Sequence, residues 1–207
     1  MNLLTAEHLT LWRGHRCLFS DLGFAIEAGG LGLVRGPNGS GKTTLLRVLA
    51  GLTRPESGQV SWRGVIIDHD RIGFGAQMSY LGHAAGLKAD LTVQQNLDFA
   101  RRINGQKGDS DESVYAALSL ENVRALPVRY LSAGQQRRVA LARVLSSSAS
   151  LWLMDEPLTN LDSNGRLFVA RALERQLLNG GAAVVATHSD LEVANATCVP
   201  VELGERG

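Results

Sequence analysis

The chain has 207 residues, enough for one domain with a sizeable core, and its 21 Lys plus Arg are balanced by 20 Asp plus Glu. A formal net charge of +1 gives no global pull toward nucleic acid or acidic lipid, and 44% apolar with 20% charged residues argues against disorder. No run approaches the roughly 18 apolar residues needed to span a bilayer, and MNLLTAEHLTLW does not read as a secretion signal. Cys17 and Cys198 form no CxxC pair and read as reduced thiols of a cytosolic protein.

In chain order, Leu9 and Leu11, then Leu22, Phe24 and Ile26, alternate on either side of a break at Gly14 and His15. That spacing predicts short, half-buried antiparallel strands. Residues 31–35 read as a short strand running into GPNGSGKTT, residues 36–44, and a helix follows through Leu45, Leu46, Val48 and Leu49 to about Gly51. Thr92 and Gln95 have capping-box spacing, with Val93, Leu97, Ala100 and Ile103 on one helical face. Residues 104–113 read as loop, 113–120 as a second helix, and a third begins at Ser132 or Ala133 and runs to about Ser146. The apolar runs 150–154 and 182–187 predict buried parallel strands, separated by a helix striped with Val169, Leu173 and Leu177 and ended by Gly180 and Gly181. The expected class is α/β, with an antiparallel β subdomain and an inserted helical subdomain on a parallel-sheet core. The boundaries are a single domain over 1–207, a core at 1–83 and 149–207, and a helical part at 84–148.

Gly36, Gly41, Lys42 and Thr43 complete G-x-x-x-x-G-K-[ST], between an expected strand and an expected helix. Glycines let consecutive backbone N–H groups curl around a phosphate, and the helix N-terminus adds positive potential. The segment Gly36, Pro37, Asn38, Gly39, Ser40, Gly41, Lys42, Thr43 and Thr44 is therefore a candidate ATP cradle of P-loop NTPase (RecA-like) type. Lys42 would reach the β/γ-phosphates and Thr43 would ligate Mg²⁺. Downstream, Asp155 ends an apolar run and is placed to hold Mg²⁺, while Glu156 beside it can accept a proton from attacking water.

Between these halves lies LSAGQQRR, residues 131–138. With the P-loop, the Asp155–Glu156 pair, TNLD at 159–162 and His188, it makes the chain resemble ATP-binding cassette (ABC) nucleotide-binding subunits along nearly its whole length. The resemblance implies a transport-coupled ATPase in which two copies form a homodimer enclosing two ATP molecules with Mg²⁺. Each ATP would be closed over by the partner copy's signature segment, Ser132, Ala133, Gly134 and Gln135 in this numbering. It further implies His188 as a switch histidine near the γ-phosphate and Asp162 as a D-loop residue coupling the sites. Trp12 has a suitable position to stack on adenine, and equally suits a strand-surface aromatic.

Two departures from the family pattern stand out. Ala133 occupies a usual glycine position, and counting back nine from Thr92 reaches His83 where glutamine is usual, whereas Gln77 lies six residues too early. A neutral His83 imidazole can contact the attacking or Mg²⁺-bound water; the alternative is a loop histidine facing a transmembrane partner. YLGHAAGLKADLTVQQNL and LSAGQQRRVALARVL further resemble the cytochrome c maturation (haem exporter) subfamily. This implies integral membrane partners of that system, a peripheral place at the cytoplasmic face of the bacterial inner membrane, and ATP hydrolysis that powers haem export or release of a haem chaperone complex. No direct haem or nucleic-acid binding is expected, and His8, His15 and His69 read as surface residues. The alternatives are an ABC exporter of another substrate and a soluble, non-transport ABC ATPase.

Overall fold

In the computed structural model, residues 2–103 and 112–204 are described, and most of the expected 104–113 loop lies outside them. The chain opens with β1 (Asn2–Arg13) and β2 (Arg16–Glu27), an antiparallel pair turning at Gly14 and His15, followed by β3 (Gly30–Arg35) and α1 (Lys42–Leu49). Then come β4 (Ser57–Trp62), β5 (Val65–Ile66), α2 (Arg71–Gln77) and β6 (Met78–Leu81). The helical stretch holds α3 (Val93–Ile103), α4 (Glu112–Ala117) and α5 (Ala133–Leu145). The chain closes with β7 (Leu151–Asp155), α6 (Ser163–Leu178), β8 (Ala182–Ala186) and β9 (Thr197–Glu202).

Two sheets result: an antiparallel one ordered β2-β1-β4-β5 and a parallel one ordered β6-β7-β8-β3-β9. The parallel strands alternate with period two between apolar layers. Leu31, Leu33, Trp152, Met154, Ala183 and Val185 face the layer built with α3, α4, α5 and α6. Val34, Leu151, Leu153, Ala182, Val184 and Ala186 face the layer built with α1 and the antiparallel sheet. Burial on both faces explains why these strands read as continuous apolar runs.

The first two strands are twelve residues each, longer than the alternation predicts. Register shifts between Ala6 and Leu9 and between Leu9 and Leu11, with His8 at φ 50°, break their period so that the sequence shows only fragments. The helix starting at Val93 has the predicted capping box: Thr92 Oγ1 accepts from Gln95 N–H at 3.1 Å and Gln95 Oε1 accepts from Thr92 N–H at 2.9 Å. Val93 and Leu97 of its apolar stripe are buried, but Ile103 is exposed beside Phe99. All five parallel strands end on one side, which is where ligands bind in open α/β sheets.

Candidate functional site

At the end of β3 the chain turns through Gly36, whose φ of 149° favours glycine. A Cβ there would sit 2.3 Å from Leu203 O and 2.7 Å from Ser40 Oγ, so no side chain fits. Lys42, although in the first turn of α1, folds back so that Nζ donates to Gly36 O at 2.7 Å and Pro37 O at 3.0 Å. The loop thus shapes itself around its own cation. Gly41, at φ 101°, begins α1 with no side-chain cap, which leaves the first-turn N–H groups to a ligand. Ser40 Oγ is buried with no hydrogen-bond partner, an arrangement that costs about 1–3 kcal/mol and that a phosphate oxygen would relieve.

Asp155 ends β7, is 4% exposed, and accepts from Thr43 Oγ1 at 2.7 Å. A hydroxyl on a buried carboxylate, beside a phosphate cradle, is a donor set of hard oxygens that suits Mg²⁺. Glu156 follows at φ 48°, a left-handed conformation that non-glycine residues seldom adopt, and its N–H is tied to Ala186 O at 2.8 Å. His188, just beyond β8, places Nδ1 2.9 Å from Glu156 Oε1. A pocket of ≈ 270 Å³ brings together Asn38, Gly39, Gly41, Lys42, Thr43, Thr44, Asp155 and Glu156, along with Arg13 and Leu18.

The other sequence candidates lie around this pocket. Trp12 is 47% exposed on β1 and does not line it, whereas its neighbour Arg13 does. His83 is exposed two residues beyond β6, on the same side of the sheet as Asp155. Gln77 is turned to the antiparallel sheet, where Oε1 accepts from Trp62 Nε1 at 3.0 Å. Asp162 caps α6 by accepting from Gly165 N–H at 2.8 Å. Ser132 and Gln135 close a capping box on α5, and none of Ser132, Ala133, Gly134 and Gln135 lines the pocket.

Three arginines carry structure at the site that the motifs do not reveal. Arg13 lines the pocket from the hairpin tip. Arg137, on α5, donates to the main-chain oxygens of Gly82 and Asp155 and, at 3.5 Å, to that of Glu156. Burial lowers its pKa, and the Asp155 and Glu156 charges oppose that shift. Arg143 binds Tyr80 O and Gly86 O, both at 3.1 Å, and burial likewise lowers its pKa. For Arg137 the sequence offers one clue, a doubled arginine in a helix that is otherwise largely apolar after it.

The family model for ABC transporters matches residues 19–159. The cytochrome c biogenesis ATP-binding export protein CcmA of Methylococcus capsulatus is 45% identical, covering 92% of this chain and 93% of its own. The protein of the same name from Nitrosospira multiformis is 42% identical over 98% of this chain and 100% of its own. Among solved structures, the ATP-binding subunit of an ABC transporter superposes with TM-score 0.80 at 22% identity, covering 90% of this chain and 79% of that one. A dimeric ATP-binding cassette in a post-hydrolysis state with ADP and Pi gives 0.80 at 24% identity, covering 99% and 97%. These two structures support the α/β fold with its P-loop core.

Proposed function

The chain belongs to the ATP-binding subunits of ABC transporters, and from that membership we propose that it powers a cytochrome c biogenesis exporter, hydrolysing ATP at the Lys42–Asp155 pocket. The observation that carries this reading is the 2.7 Å bond between Thr43 and Asp155, which joins the phosphate loop to the strand end 112 positions away. With Glu156 and His188 alongside, the arrangement is that of a nucleotide hydrolase rather than of a simple nucleotide binder.

In this mechanism the α1 N–H groups and Lys42 hold the β- and γ-phosphates, Lys42 exchanging its two carbonyl partners for phosphate oxygens. Thr43 and Asp155 would hold Mg²⁺, which when bound neutralises charge on the phosphate oxygens. Glu156 takes a proton from a water whose oxygen attacks the γ-phosphorus. The bond to the β-phosphate bridging oxygen breaks, leaving ADP and phosphate. His188 restricts Glu156 through their 2.9 Å contact.

Two copies would complete each site. Ser132 Oγ accepts from its own helix at 3.2 Å and keeps its proton free to donate to a partner-bound γ-phosphate. The dimeric cassette of similar fold supports this assembly, and the export named for the relatives supports a membrane partner. No helix among the described residues is long and apolar enough to cross a membrane, and in this reading other subunits supply the membrane-spanning part. We assign their docking to the groove of ≈ 360 Å³ lined by Leu52, Tyr80, Phe99 and Ile103, beside the loop that carries His83. On this reading the chain works as a peripheral subunit at the cytoplasmic face of the inner membrane. Haem, or a haem chaperone complex, is the cargo acted on by the assembly.

The decisive experiment is Glu156→Gln: ATP binding should persist within about 3-fold while turnover falls about 100-fold or more, and a closed dimer should accumulate in size-exclusion chromatography with ATP. Normal turnover in that variant would remove Glu156 from the mechanism. Phe99→Asp should keep ATPase activity in the isolated chain yet shift it out of the membrane fraction; unchanged membrane association would displace the docking surface.

A further inference from the structure

Glu156 must be aimed from a backbone conformation that its own side chain disfavours, with φ at 48°. Its N–H is held by Ala186 O. The two carbonyls on either side of its Cα are both held by one group, the Arg137 guanidinium, which donates to Asp155 O and Glu156 O. The remaining arm reaches Gly82 O, immediately before His83. A planar fork with several fixed donors can satisfy carbonyls in divergent directions, which a lysine ammonium on a flexible stem does less well.

Arg137 also lies one helical turn beyond Gly134 and just after the Ser132 cap, on the rigid body of α5. The helix end expected to meet the partner's nucleotide is therefore tied to the main chain that aims this copy's own Glu156. We propose that Arg137 is a positioning residue: it fixes Glu156 for proton abstraction and makes that placement depend on where α5 sits. This deepens the hydrolysis reading above and rests on it.

The test measures kcat, KM for Mg-ATP and nucleotide affinity in the full chain, with and without co-purified membrane partners, for Arg137→Met and Arg137→Lys. Arg137→Met should lower kcat about 10- to 100-fold with KM and affinity within about 2-fold, and Arg137→Lys should recover part of the loss. The same Arg137→Met change in a Glu156→Gln background should lower residual turnover no further, because the arginine acts through that carboxylate. Wild-type kcat in Arg137→Met and Arg137→Lys would overturn the proposal, as would an equal loss in both backgrounds or a parallel loss of kcat and affinity in the lysine variant. Turnover that survives Glu156→Gln alone is a separate failure, that of the base assignment itself.

Discussion

The amino termini of α1 and α5 are built in opposite ways. The first begins at Gly41, without any side-chain cap, above a loop that wraps its own lysine. The second is closed on itself, Ser132 and Gln135 exchanging hydrogen bonds at 3.2 and 2.9 Å. An uncapped helix end leaves donors waiting for an anion, so the α1 half of the site is ready within one chain. A capping box gives two of those donors side-chain acceptors from within the helix, so the α5 end is stable without nucleotide. In the proposed mechanism the difference would separate binding from closure, α1 capturing nucleotide and α5 meeting it across the dimer.

Substitutions at each end test that division, and the largest effect belongs to the open one. Lys42→Ala should weaken Mg-ATP binding about 100-fold or more by removing the charge that compensates the phosphates, as read by equilibrium binding to the isolated chain; intact affinity would make the open cradle irrelevant. Ser132→Ala should leave that single-chain affinity within about 2-fold yet reduce turnover about 10-fold, since its hydroxyl, which also caps α5, would meet nucleotide only across the dimer. A loss of single-chain affinity would erase the distinction between the two helices. The smallest effect is at the hairpin tip. Arg13→Ala should raise the ATP dissociation constant about 3- to 10-fold through loss of one charged contact, while Trp12→Ala should leave it nearly unchanged. The reverse ranking would restore the adenine-stacking role to Trp12.

Contiguous chemistry was legible in the sequence. Residues 36–44, the Asp155–Glu156 pair and the 131–138 segment each present their groups within a few positions, and the central strands reveal themselves by burial on both faces. What escaped has a physical cause in each case. Arg137 binds main-chain oxygens, which every sequence possesses, so nothing in the one-letter code marks its partners. The helix at Arg71–Gln77 contains Gly73 and Gly75 and buries only Phe74, leaving no apolar period to detect. The strand at Thr197–Glu202 is mostly exposed, pairs on one side only and contains Pro200, features tolerated at a sheet edge but erased from a period-two pattern. Arg13 and the aromatic Trp12 are neighbours at the end of β1, and only the hairpin's turn decides which of the two meets the pocket.

That edge strand reaches further than its modest pattern suggests. It runs alongside β3, its next residue Leu203 donates to Arg35 O at 2.8 Å, and Leu203 O lies where a side chain on Gly36 would stand. This edge strand and Leu203 thus form a splint behind the nucleotide cradle. A fusion, truncation or protease nick that peels this splint away would slacken ATP capture while leaving every nucleotide-touching residue intact.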